Sequence, residues 1–349
     1  MKDLLLKYAK EFFLKYGKYV KYAGVVGYPA FYVSCLALFF SCSFPYDKLK
    51  ERLVATFNAD QRTVGGQQEL QIDEMQGYWL SGVRVKGARL LSMSMDPAAP
   101  LSRIDIDEAT VRYDLLPALF GAADITFHVY AFGGEASGSY EVHGLDKSLE
   151  ASLDTLNIGQ IQPLVRILGV PLNGKLSGTM KIEMPGAKAS NGNGSVSLEA
   201  RDVVVGDGKA KLRGALVLPP IDVGVLTLTA DAKSGTLKLS KLAAGGHDVE
   251  VQGEGRVLMR EVASESVCDV QVRFKINDAY RNKNDIAKSL FGDPGSSIPP
   301  LFDLDPQVKQ SKRADGFYAW NIRGALARPD VVPAGMASGG FGGLPKTGQ

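Results

Sequence analysis

Three histidines, His128, His143 and His247, and three cysteines, Cys35, Cys42 and Cys268, are the side chains here most suited to metal binding or nucleophilic chemistry. Their spacing supports neither. The histidines are too scattered for a metal signature. His247-Asp248 pairs a base with an acid, yet it sits at the Gly245-Gly246 turn, and a working base needs a partner held by geometry. The pair is expected as a surface turn. Asp105-Ile106-Asp107-Glu108 has the acidic density of a calcium loop but lacks its central Gly and later bidentate Glu, and the alternation with Ile104 and Ile106 fits a solvated strand face. Ser137 and Ser139 lie among glycines without the Gly-x-Ser-x-Gly elbow. Gly192-Asn193-Gly194 and Gly206-Asp207-Gly208 lack the following Lys-Ser or Lys-Thr of a phosphate loop and are expected as tight hairpin turns. No catalytic, cofactor-binding or metal residue is expected, and no convergent set of acid, base and nucleophile supports a hydrolase.

Cys35 and Cys42 belong to an apolar segment, which leaves Cys268 alone in the rest of the chain and argues against a disulfide framework. Within Val267-Cys268-Asp269-Val270 it is expected to be a small buried apolar residue. Trp79 and Trp320 are expected to serve core packing or a belt at the strand ends, in preference to a ligand platform.

The elements around these residues start with a span. Residues 22–46 carry no charge over 25 positions, and residues 1–21 before them hold six lysines against Asp3 and Glu11. A helix rising about 1.5 Å per residue over that length crosses a hydrocarbon core of about 30 Å. The cationic side of a lone span stays cytoplasmic, which places residues 1–21 inside and exports everything after residue 44. Residues 1–21 are also amphipathic, with Leu4, Leu5, Tyr8, Phe12 and Tyr16 alternating with lysines, as suits a helix on an anionic inner leaflet. A secretory signal peptide has a shorter apolar region and a small-x-small cleavage site. The alternative of a lipidated Cys42 rests on Phe39-Phe40-Ser41-Cys42, an imperfect match because an aliphatic residue and small ones normally precede the Cys. The formal net charge is +2, of which the first 21 residues carry +4, so the exported part is slightly acidic and presents no basic face for nucleic acid.

From Glu69 onward the chain alternates apolar and polar residues at period two, the mark of strands with one buried and one wetted face. In residues 269–276, Val270, Val272, Phe274 and Ile276 take one face and Asp269, Gln271, Arg273 and Lys275 the other. Glycines divide such segments at short intervals without long helices between them, which predicts an antiparallel meander. Short helices are expected after Pro45, with Leu49, Leu53, Val54 and Phe57 as its apolar stripe, and over residues 115–120, 158–168 and 277–291. Residues 331–349, rich in Gly and Pro, are expected as a flexible tail. A sheet this long must hide its apolar face by closing into a barrel, stacking on a second sheet, or curling into a trough.

Phe44-Pro45-Tyr46-Asp47-Lys48-Leu49 directly after the span resembles the start of the exported part of the GspN family of type II secretion system subunits, as does Gly77-Tyr78-Trp79-Leu80-Ser81-Gly82-Val83. The segment from Val111 to Gly121 and Gly133-Gly134-Glu135-Ala136-Ser137-Gly138 resemble the strand, short helix and Gly-rich hairpin shared with the wider AsmA/TamB-like group. Leu168-Gly169-Val170-Pro171-Leu172-Asn173-Gly174-Lys175-Leu176-Ser177-Gly178 is similar to that group's glycine-framed strand after a helix. The resemblance runs from the span to about Pro329. It implies a bacterial inner-membrane protein, single-pass, with a cytoplasmic N-terminus and a periplasmic β-rich domain over residues 45–330 of the curved, groove- or half-barrel-like kind. It carries over no catalytic residue and no cofactor.

Two functions follow as expectations. One is a non-enzymatic accessory subunit of the type II secretion apparatus, its sheet touching other subunits. The other is an AsmA/TamB-like module that binds or transfers lipid, taking acyl chains on an apolar groove.

Overall fold

The computed structural model describes residues 27–36, 38–39, 43–63, 68–92, 102–118, 121–162, 165, 169–209, 211–212, 216–217, 219–262, 265–292 and 300–334. Residues 27–36 and 38–39 are helical and exposed. Among the described residues no helix is long and apolar enough to cross a membrane. The expected span at 22–44 and the tail at 331–349 are therefore only partly covered, and the basic segment at 1–21 lies outside the described residues.

Helix α1, Tyr46–Thr63, follows and leads into the strands. It runs several residues past Asn58 and Asp60, where the apolar stripe of the sequence gives out. Packing explains the difference, because Tyr46, Lys50, Val54, Phe57 and Asn58 all turn toward the first strand. The strands are β1 (Gln68–Tyr78), β2 (Gly82–Ser92), β3 (Ser102–Tyr113), β4 (Ala122–Ala131), β5 (Gly134–His143), β6 (Asp146–Asn157), β7 (Leu172–Met184) and β8 (Asn193–Val205). A two-stranded sheet of β9 (Lys211–Leu212) and β10 (Leu216–Val217) comes next, then β11 (Ile221–Lys233), β12 (Thr236–Gly245), β13 (Val249–Leu258), β14 (Val267–Ile276), β15 (Tyr318–Ala325) and β16 (Asp330–Pro333). All but β9 and β10 form one open antiparallel sheet of 14 strands in chain order. The fold is thus mostly β, and the expected meander is what forms.

Because the meander is strictly antiparallel, its connections alternate between two ends. Tyr46 lies beside Gly77 near the end of β1, so close that a Cβ there would stand 2.6 Å from the Tyr46 hydroxyl. Asn58 lies beside Leu70 near the start of β1. Helix α1 therefore runs antiparallel to β1, and the chain arrives at the end holding the β1–β2, β3–β4 and β5–β6 turns, here called the near end.

The far end is closed by packing. Ile158, Val170, Leu172, Val203, Ile221, Val223, Val249 and Ile276 form a core there with Tyr280, Ala287, Leu290 and Phe291. The last four come from helices that enter this core, and four short helices follow α1 among the described residues. These are α2 (Leu115–Ala118), α3 (Asp278–Arg281), α4 (Asp285–Phe291) and α5 (Pro306–Ser311). Helices α2, α3 and α4 fall where short helices are expected, and Ile158–Gln160 forms a 3-10 turn. Helix α5 is not anticipated, although Asp305-Pro306 carries the signal: Asp305 accepts hydrogen bonds from the N–H groups of Gln307 and Val308, and Pro306 opens the helix.

Two turn assignments are corrected. Asn193 and Gly194 lie inside β8, following short 3-10 turns at Pro185–Ala187 and Ala189–Asn191. A Cβ at Gly194 would meet the Lys181 carbonyl oxygen at 2.0 Å, so this glycine allows β7 and β8 to approach rather than turning the chain. Gly206 to Gly208 likewise opens the longer connection from β8 to β11.

Candidate functional site

Directly paired residues of neighbouring strands point to the same side of a sheet. One such row can be followed through every strand of the 14-stranded sheet. It begins Gly77, Val83, Val111, Phe127, Gly138, Ala151 and Met180, from β1 to β7. It continues Val196, Ala230, Leu239, Gly255, Val270, Ile322 and Val331, to β16. No polar side chain interrupts it. The adjacent row on the other side reads Thr126, Ser139, Glu150, Lys181, Ser195, Asp231, Lys238, Arg256, Asp269, Arg323 and Asp330 from β4 to β16. The sheet therefore has one apolar and one hydrophilic face over its whole width.

Keeping the apolar residues on one side takes local irregularities. In β1 to β3 the alternation changes phase, from Leu70 and Ile72 to Met75, from Val85 to Ala88, and from Ile106 to Ala109. At Asp107 the register against β4 shifts, and further shifts follow between Leu153 and Leu156, between Asn173 and Lys175, within β11 and between Leu239 and Leu242.

Much of the apolar face is uncovered. Helix α4 and the Leu301–Leu304 turn close over the far end, where Phe291, Phe302, Tyr318 and Phe274 make a chain of ring contacts. Away from that end Val196, Leu198, Leu228, Leu239 and Leu242 are only half-buried, and Val111 is 44% exposed. Trp320, on β15 opposite Val272, belongs to this face and is also half-buried. Among the described residues no second large sheet stacks on it. For β1 to β6 alone the face covers on the order of 700 Å², at about 4.8 Å between strands and about 30 Å along them. That is at or above the largest apolar patch usual on a monomer, about 300–600 Å².

The polar clusters hold structure together. Asp248, at the start of β13, is 2% exposed. It accepts hydrogen bonds from the Asp222 N–H at 2.9 Å and Lys283 Nζ at 3.0 Å, and lies 3.0 Å from His247 Nδ1. Burial alone would raise its pKa; those partners more than offset this and hold the carboxyl below its ordinary value. The expected surface turn thus describes His247, whose side chain is 74% exposed, while Asp248 is a buried tie between β11, β13 and the α3–α4 cap. Lys283 also reaches the Pro220 carbonyl, and the Tyr280 hydroxyl donates to the Pro219 carbonyl at 2.7 Å.

The other candidate residues stay apart. His128 is beside Glu135 and His143 faces Asp124, at different levels of the same β4–β5 hairpin. Asp105 pairs with Arg103 and Glu108 with Arg84 on the hydrophilic face of β3. Among the described residues no three potential metal ligands converge. Ser137 and Ser139 lie in β5, on the hydrophilic face. Cys268 is buried, its Sγ 3.3 Å from the Gly324 carbonyl, and burial pushes the thiol's pKa up. Trp79 is 72% exposed at the β1–β2 turn. A cleft of 490 Å³ on the hydrophilic face, lined by Gln271, Arg273, Arg313, Ala314, Asp315 and Ala319, is spanned by Arg273 and Asp315 at 3.8 Å. The candidate site is therefore the apolar face and not a cluster of reactive groups. Comparison with protein-family models, with curated proteins and with solved structures finds no match for this chain.

Proposed function

We propose that this is a membrane-anchored, non-enzymatic protein whose sheet takes up lipid acyl chains on its apolar face. The observation that carries this reading is the row of apolar residues running through all 14 strands, with no second large sheet over it among the described residues. A twisted sheet of this width, bent further by bulges, curls into a trough. Strands of ten residues or more are about 33 Å long, ample for an acyl chain that fills half of a core about 30 Å thick. The anchor is supported by the uncharged segment at 22–46 and by Tyr28, Phe31, Tyr32, Leu36 and Phe39, each more than half exposed on the helix.

The resemblance to GspN supports a location in the bacterial inner membrane, with the sheet in the periplasm beside other subunits of a type II secretion system. The hydrophilic face, with its ion pairs Arg323–Asp269 and Arg201–Glu199, is the surface suited to such subunit contacts.

Purification of the full chain in mild detergent followed by lipid extraction and mass spectrometry tests the lipid reading. Phospholipid is expected with the wild type and with Ser197→Asp on the hydrophilic face, and is expected to be lost from Val196→Asp. Equal lipid in all three preparations, or none in any, refutes it.

A further inference from the structure

At the near end of the sheet most turns present a large apolar side chain to solvent, whereas at the far end the exposed Ile286, Leu301 and Leu304 all belong to the single connection between β14 and β15. Trp79 and Leu80 at the β1–β2 turn are 72% and 51% exposed. Leu115, between β3 and β4, is 53% exposed, and Leu145, between β5 and β6, is 76% exposed. At the same end, toward the β16 edge, Val262, between β13 and β14, and Leu326, between β15 and β16, are 52% and 48% exposed. Turn residues are ordinarily polar, so a large apolar side chain at each of five of these connections is a pattern rather than scatter.

The chain reaches the sheet at the same end. Tyr46 packs on Gly77 next to the β1–β2 turn, with Phe44 against its ring at 4.9 Å, and the exposed apolar helix of residues 27–36 and 38–39 lies just before it in sequence. Whatever surrounds that helix is therefore brought up to Trp79 and Leu80. Indole and leucine at such a boundary suit the interfacial layer of a bilayer, where an amphipathic ring sits at headgroup level.

We infer that the near end of the sheet stands on the lipid surface, with the apolar turn residues seated in the bilayer interface. This rests on the proposed membrane anchor. It sets the strands upright on the membrane and turns the open end of the apolar face toward the lipids, while the packed far end points away. These turns carry no basic cluster, since Lys147, Arg260 and Arg328 stand beside Asp146, Glu261 and Asp330 and the same connections add Asp114 and Glu265, so the contact depends on apolar insertion and not on attraction to anionic headgroups.

The test uses the full chain reconstituted into vesicles of phosphatidylethanolamine and phosphatidylglycerol, with or without bromine on the acyl chains near the headgroup. The chain has two tryptophans, so Trp320→Phe leaves Trp79 as the sole indole. A second protein, Trp79→Phe, Trp320→Phe and Leu145→Trp, moves the indole two hairpins away from the anchor. Loss of most emission from both indoles in brominated vesicles, unchanged by added salt, is the expected result. Quenching of Trp79 without quenching of the indole at 145 overturns the inference, because the sheet then leans off the bilayer. Blue-shifted but unquenched emission from both also overturns it, showing that protein, such as a second copy, covers the turns. Extraction by alkaline carbonate reads the anchor separately: release of the chain refutes the anchor, whereas quenching alone decides the seat of the turns.

Discussion

Asp248 shows how much a single side chain can organise without doing chemistry. Its carboxylate joins β11, β13 and the segment that carries α3, and removal of its charge leaves the Asp222 N–H and Lys283 with poorer partners. Asp248→Asn is expected to cost about 2 kcal/mol, in the range of a hydrogen bond to a charged group. The sign of its pH dependence follows from a folded pKa below the unfolded value of about 3.9. The contribution is complete above that value and is lost as pH falls through the lower folded pKa. Denaturant titrations of wild type and variant are therefore expected to differ by a constant amount from neutral pH to about pH 4 and to converge below it. A gap that widens in acid contradicts this assignment. The sequence could not expose this residue, since Lys283 is 35 positions away and Asp222 is 26. Only the turn at Gly245-Gly246 was legible locally.

At the scale of elements, the two edges of the sheet are treated differently. The β1 edge is covered by α1, where the Asn58 amide both donates to the Leu70 carbonyl at 3.2 Å and accepts from the Leu70 N–H at 2.8 Å, as a neighbouring strand would. Asn58→Ala is expected to remove both bonds, at about 1 kcal/mol each. Hydrogen exchange should then quicken at Leu70 while the amides of β7 and β8 keep their protection; unchanged exchange at Leu70 shows that α1 does not hold the edge. The strands themselves were largely legible, because alternation such as that of residues 269–276 survives in any register. The phase changes in β1 to β3 were not, because a bulge at Asp107 exists only in relation to β4. The position of Gly194 inside a strand was hidden for the same reason: Asn-Gly also satisfies a hairpin turn, and the approach of Lys181 decides between them.

For the whole molecule, the apolar row through 14 strands joins these parts into one surface, closed by packing at the far end and open toward the near end. The sequence left a barrel, a sandwich and a trough as equal solutions. The described structure is a single open sheet, so burial of its apolar face falls to something other than a second sheet. The most direct measurement is site-specific crosslinking in membranes, with a photoreactive side chain placed at Val196 on the apolar face or at Ser197 on the hydrophilic face. Phospholipid adducts are predicted at position 196 and not at 197. Protein adducts alone at 196, or equal lipid labelling at both positions, would contradict a sheet that carries acyl chains on one face.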